Sequence, residues 1–283
     1  TEFNNISSLE KIILENTSSD NKNDIAALIL EPIQGQVVGI PDKGYLKEVQ
    51  KLCEKHNILT IFDEIKVGMG RTGKLFSFMH EDVIPDVVTI SKSLGGGKRA
   101  IGATVTKDKI FRKAYGSKKN ASLHTTTFGG IGETCAVAIE SLRIVSDKKF
   151  LDSVDEKGNY LHDELIKLSN SHKNLISAVR GKGLILGIEF KFPMTFEPLG
   201  SNLIKTRNQF FISSIVRELY KKYGILCSFA LSAPNTLELT PPLIVDKEQI
   251  DYFVMSLDNV LNTGFTKLGS NLISGYLKSK INI

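Results

Sequence analysis

Cysteine, long apolar runs and blocks of like charge are scarce or missing in this 283-residue sequence, and each absence closes a class of function. The three cysteines, Cys53, Cys135 and Cys227, are odd in number, far apart and without CxxC or Cys/His ligand spacing. That excludes a disulfide framework and a zinc site and points to a reduced, cytoplasmic compartment with no metal. No apolar stretch approaches the roughly 20 residues that cross a bilayer, and the start has no charged head followed by an apolar run, so neither a membrane span nor an export signal is expected. The formal charge is +5, from 36 basic and 31 acidic residues, but the lysines alternate with Asp and Glu, which argues against nucleic acid as a partner.

What is present is an ordinary globular composition, 41% hydrophobic and 24% charged, without repeats or low-complexity segments. Residue 1 is Thr, not Met, and residues 1–23 are a polar Asn/Ser/Lys mixture, as expected of a chain that begins partway through a protein. Ile25–Leu30 is a continuous apolar run stopped at Glu31-Pro32 and reads as a buried strand. Tyr45–Asn57 carries Leu46, Val49, Leu52 and Cys53 at helical steps, and Ile58–Phe62 is a second buried strand closed by Asp63-Glu64. Strand, helix, strand with both strands apolar throughout predicts a parallel-rich α/β sheet covered on both faces, with further strands at Val87–Ile90 and Ile101–Val105. Helices are predicted over Ile131–Val145 and about Phe150–Leu168. The polar Ser146–Lys149 link between them suggests a domain boundary, giving a large domain over 24–147 and a smaller C-terminal α+β domain over 148–283. In the latter, Gly183–Phe190 reads as a strand, Gln209–Tyr223 as a helix stopped by Gly224, and Asp246–Val260 as a helix opened by a capping box of Asp246 and Gln249.

In a parallel α/β sheet, ligands sit beyond the carboxyl ends of the strands. Asp63 ends one strand and Lys92 lies two residues past another, so an acid and an amine are expected in one crevice. A solvated strand end with a salt bridge is the plainer alternative. Gly68–Lys74 has the spacing of a phosphate-binding loop, but Leu75 stands where a Ser or Thr must meet magnesium. Lys98, after a glycine run, reads as a solvated turn residue, and His124 as a structural histidine.

The letters around these positions resemble the class-III aminotransferases, a family of fold type I. The resemblance lies in Glu31-Pro32-Ile33-Gln34-Gly35, Asp63-Glu64-Ile65, Gly68-Met69-Gly70-Arg71-Thr72-Gly73 and Ser91-Lys92-Ser93-Leu94-Gly95-Gly96-Gly97. It continues through Ile101-Gly102-Ala103, His124-Thr125-Thr126-Thr127-Phe128-Gly129-Gly130, Arg180-Gly181-Lys182-Gly183 and Pro241-Pro242-Leu243. It covers about Ile25 to Val260, with motifs nearest to diamine and ornithine-type members. The resemblance implies a pyridoxal 5'-phosphate cofactor held as an aldimine by Lys92, which also moves the proton during amino transfer. It implies that Asp63 faces the ring nitrogen and keeps the ring an electron sink. Ile65 would pack on the ring, and Thr127 would reach the phosphate from a second subunit, so a homodimer is implied.

Four departures bear on activity. Lys66 replaces the usual Gln near the cofactor's phenolic oxygen. Gln36 replaces a Glu that pairs with a carboxylate-binding arginine, and Glu238 replaces that arginine. The family also has a substantial region before the first strand, supplying a phosphate loop, a stacking aromatic and part of the sheet's cover, so the large domain here is incomplete. Gln36 and Glu238 together predict a substrate half that is cationic or neutral, such as a diamine or a carrier-chain amine or aldehyde, exchanged with a 2-oxo acid or aldehyde. The alternatives are an aminomutase or racemase of the same fold and a non-catalytic fragment or interaction subunit. No role is assigned to the tail after Thr263, whose Leu272, Tyr276 and Leu277 are of a kind that can pack on a partner.

Overall fold

The computed structural model describes residues 1–18, 23–191, 201–229, 232–264, 267–270 and 274, with the side chains of 201–205 excepted. The tail residues Leu272, Tyr276 and Leu277 lie outside the described residues. Two compact units are formed, one from Thr1–Gly35 with Ile40–Ser153, the other from Gln36–Gly39 with Val154–Ile283.

The first unit is built on a four-stranded sheet in the order β1 (Ala27–Leu30), β2 (Leu59–Asp63), β3 (Val87–Ile90) and β4 (Ala103–Thr106). The first three strands run parallel and β4 closes the edge antiparallel to β3. Helix α1 (Ile6–Glu15) arises within the stretch that reads as polar. Its Asn5 side chain caps the Ser8 amide, and Leu9 and Ile13, four residues apart, are buried while the polar residues between them stay in solvent. Helix α2 (Tyr45–Lys55) buries Tyr45, Leu46, Val49 and Cys53, the stripe read from its spacing. Asp86 joins β2 to β3, accepting from the Thr60 amide at 2.9 Å and the Lys107 ammonium at 2.7 Å. Two further helices follow, α3 (Asp108–Tyr115) and α4 (Gly132–Val145).

The second unit contains an antiparallel sheet whose strand order is β5 (Ile176–Lys182), β6 (Ile185–Phe190), β8 (Thr236–Leu239) and β7 (Ser228–Phe229). The strands go with three long helices, α5 (Lys148–Ser171), α6 (Ser201–Tyr223) and α7 (Lys247–Asn262). Val154, Leu161, Leu165 and Leu168 of α5, Ile212, Ile215 and Leu219 of α6, and Ile250, Leu257 and Val260 of α7 are buried at helical spacing. The capping box of α7 forms as read, with Asp246 accepting from the Gln249 amide at 2.7 Å and the Gln249 side chain accepting from the Asp246 amide. The passage from first to second unit falls at Ser153, inside the continuous helix α5, a few residues past the polar link at 146–149. Burial pushes the thiols of Cys53 and Cys227 up to about 11, so neither is a nucleophile at neutral pH. Among the described residues, no helix is long and apolar enough to cross a membrane.

Candidate active site

Three charged residues gather at the carboxyl end of the parallel strands: Glu31 just past β1, Asp63 as the last residue of β2, and Lys92 two residues past β3. Asp63 stands opposite Thr89 in the β2–β3 register, so Asp63 and the turn that carries Lys92 lie at the same end of neighbouring strands. Asp63 is half-buried, and its Oδ1 accepts from the Ile65 amide at 2.9 Å, which folds the chain back over the strand end and sets the start of the following turn. Lys92 opens a 3-10 turn (Lys92–Gly95) with a left-handed backbone, φ 46°, and an exposed side chain. Such a conformation costs a long side chain on the order of 1 kcal/mol and persists only where neighbours enforce it. Here the Ser91 hydroxyl donates to the Ile101 carbonyl and the Ser141 hydroxyl of α4 donates to the Ser93 carbonyl, both at 2.9 Å, pinning the turn from both sides.

Glu64, the middle residue of the Asp63-Glu64-Ile65 motif, is 1% exposed. Its Oε1 accepts from the Ser77 hydroxyl at 2.6 Å and the Phe78 amide at 3.0 Å, tying the end of β2 to the 3-10 turn Ser77–His80. Between these points the Gly68, Gly70, Arg71 and Gly73 amides all donate within the turn itself, so the glycine-rich segment has no row of amides left for a phosphate. Burial pushes the Glu64 carboxyl up to about 7, with the charge of Asp63 adding to it and the Ser77 and Phe78 hydrogen bonds opposing it. The folded protein therefore holds a proton that the unfolded chain has released above about pH 4.5. Stability contributed by the neutral carboxyl is complete below pH 4.5 and is lost as pH rises to 7. A displacement of that size corresponds to about 3 kcal/mol. Glu64→Gln, which keeps the acceptor and removes the charge, is expected to flatten this decline. Urea midpoints of variant and wild type that stay parallel from pH 4.5 to 8 would show Glu64 charged in both states.

Ile65 and Lys66 follow on the same segment, both half-buried. A Cβ built on Gly35 would lie 2.5 Å from Cδ of Lys66 and 3.0 Å from Oε2 of Glu31, so the Lys66 stem runs over Gly35 beside a carboxylate. Glu31 also accepts from the Gly35 amide at 2.8 Å. The structure thus brings Asp63, Ile65, Lys66 and Lys92 to one sheet end and adds Glu31 and Glu64. Both additions stood in the quoted motifs, and a carboxylate closing an apolar strand was their only signal. Thr127 lies in the exposed stretch 121–130, next to Phe128, which is 80% exposed.

The residues expected to meet substrate, Gln36 and Glu238, belong to the second unit. Glu238 of β8 is 8% exposed, so it is not a solvated surface acid. Residues paired directly across antiparallel strands point to the same face, and the register places Arg180, Gly187, Glu238 and Ser228 in one row across the sheet. Val38 seats on this face, 3.1 Å from the Cβ that Gly187 lacks, and the Gln36 side chain accepts from the Ser232 hydroxyl at 2.7 Å. Arg180, the arginine nearest in this row, is committed to the protein: it donates to the Val37 and Val38 carbonyls and pairs with Glu189. Its guanidinium is thus occupied by backbone and carboxylate groups of the protein.

The sequence model of class-III aminotransferases matches residues 2–261. The chain belongs to that family. Solved structures agree. An ornithine aminotransferase from Plasmodium yoelii is 28% identical with a TM-score of 0.77, covering 93% of this chain and 61% of its own. An acetylornithine aminotransferase from Elizabethkingia anophelis is 31% identical with a TM-score of 0.75, covering 93% and 59%. An ornithine aminotransferase from Toxoplasma gondii, described with partial occupancy of pyridoxal phosphate at its active site, is 27% identical with a TM-score of 0.77, covering 96% and 56%. This class-III chain thus spans about 60% of the length of the relatives it matches. The fold is that of the pyridoxal-phosphate transferases, of which the parallel sheet here is a part. Pyridoxal phosphate, the family's cofactor, calls for an amine to meet its aldehyde and a carboxylate to meet its ring nitrogen. The donor set of this aminotransferase chain fits that need, with both groups on neighbouring strand ends.

Proposed function

We propose that the chain is the catalytic core of a pyridoxal-phosphate-dependent aminotransferase that takes an amine without an α-carboxylate, a diamine or a carrier-chain amine, and passes its amino group to a 2-oxo acid or aldehyde. What carries the reading is the placement of Asp63 and Lys92 at neighbouring carboxyl strand ends in a class-III chain. In this role Lys92 would hold the cofactor and move the substrate proton, Asp63 would pair with its ring nitrogen, and Ile65 and Lys66 would help to line its site. Bound cofactor supplies an electron sink for the pair left when the substrate C–H bond breaks.

The substrate class rests on Glu238 and Gln36. Ornithine and acetylornithine, the amines named for the relatives, carry a carboxylate that a buried acid repels. Glu238 also borders a groove of about 800 Å³ within the second unit, lined chiefly by apolar residues and with no lysine or arginine among them, which suits a hydrocarbon amine. The test is a transamination assay with putrescine and ornithine as rival donors and pyruvate as acceptor. Wild type is expected to prefer putrescine. Glu238→Arg is expected to shift the ratio of kcat/KM values toward ornithine by about tenfold or more, since an arginine pairs with a carboxylate in two parallel hydrogen bonds. An unchanged ratio would take Glu238 out of the substrate site.

The exposed Thr127-Phe128 stretch supports a second copy of this chain as partner, with Thr127 reaching that copy's cofactor phosphate. A mass by sedimentation equal to one copy would remove this part of the reading. The free cysteines and the absence of a membrane-crossing helix among the described residues support a cytoplasmic location.

A further inference from the structure

Val38 has φ 50°, a left-handed backbone that a β-branched residue adopts only under constraint. It is wholly buried, and the segment Gln36–Gly39 to which it belongs is flanked on both sides by chain of the first unit while itself packing in the second. The constraint comes from Arg180. Its Nε donates to the carbonyls of Val37 at 3.2 Å and Val38 at 3.1 Å, and one terminal nitrogen donates to Val37 again at 2.8 Å and to the Thr236 hydroxyl at 3.4 Å. The other terminal nitrogen pairs with Glu189 at 2.5 Å. Glu189 and Thr236 are register partners on the face that carries Glu238, so the guanidinium is held by the same strands onto which it pulls the segment. Gly187, between Arg180 and Glu238 in the row, leaves the slot that the Val38 side chain fills.

We propose that Arg180 is a positioning residue: it clamps Gln36–Gly39 onto the sheet face of Glu238 and so holds Gln36 and Glu238 as one substrate-selecting pair. A planar fork that reaches two successive carbonyls and a carboxylate at once is a task for arginine, which the single ammonium of lysine does not perform. The substrate half of this inference rests on the function proposed above, whereas the clamp does not.

Arg180→Lys keeps the charge beside Glu189 and loses the fork, and Arg180→Met loses both. Thermolysin cuts before Val and Ile, so a released segment exposes the bonds before Val37, Val38 and Ile40. Both variants are expected to be nicked there under conditions that leave wild type and the remaining chain intact. With putrescine as donor, KM is expected to rise about tenfold with kcat within about twofold, the pattern of lost binding rather than lost chemistry. Nicking without a change in KM would make Arg180 a purely structural latch and overturn the positioning role. Absence of nicking in both variants would overturn the clamp itself. Cleavage spread over the whole second unit in Arg180→Lys would do the same, because the residue would then support the entire fold. If wild type transfers amino groups from no donor tried, the proposed function fails with the substrate half, and the nicking pattern still decides the clamp.

Discussion

Lys92→Ala is expected to abolish covalent attachment of pyridoxal phosphate and to lower amino transfer by about four orders of magnitude, because in the proposed role one amine both binds the cofactor and moves the proton. The change should leave the fold in place. Lys92 is exposed, and its turn is held by hydrogen bonds from Ser91 and Ser141 that do not involve its side chain. Alanine meets much the same backbone cost as lysine at φ 46°. The loss is therefore chemical, and it separates Lys92 from Lys98, six residues further along the chain. Borohydride reduction of the cofactor-loaded chain, followed by peptide mass mapping, should place the label on Lys92 in wild type and nowhere in the variant. A label that persists in Lys92→Ala would transfer the role to another lysine and remove the argument from strand register.

Gly158→Ala is expected to destabilise the second unit by about 3 kcal/mol, against the sense of helix propensity. Gly158 lies in the middle of α5, where alanine would ordinarily stabilise by about 1 kcal/mol. A Cβ there, however, would stand 2.4 Å from the carbonyl carbon and oxygen of Gly183 and 2.5 Å from its Cα, all backbone atoms of the turn between β5 and β6. That turn is held by the β5–β6 ladder, with Lys182 paired to Ile185, and the opposing side of the contact is a helix, so neither partner yields cheaply. The urea midpoint reports the sign. A lowered midpoint supports backbone-to-backbone packing of α5 on the turn, and a raised one means that the helix stands off from it.

Legibility in the sequence followed the range of the interaction. Val87–Ile90 coincides with the observed β3, and α2, α4 and α7 were read within a few residues at each end, because periodic burial and caps are local signals. Strand β5 went unread because its residues, Ile176–Lys182, mix small, charged and apolar types. It is a strand because β6 pairs with it over its length. Thr236–Leu239 was recognised for Glu238 and not as a strand, since four residues are too few to show a period, and its strand character comes from β6 on one side and β7 on the other. Helix α6 begins eight residues before the expected start at Gln209, and the passage between units falls inside α5, a few residues past the polar link at 146–149.

By itself the sequence determined which reactive groups the chain owns and their order: the acid at 63, the amine at 92, the strands that end in them, and a glutamate at 238. The tertiary structure alone decided that Glu64 is buried and near neutrality, that Val38 is forced left-handed into the slot above Gly187, and that Arg180 is committed to two carbonyls instead of to a ligand. Each of these depends on atoms brought together from distant parts of the chain, Arg180 and Val38 being 142 residues apart. Side-chain periodicity reports only which face of its own element a residue occupies, so proximity of that kind is settled by packing.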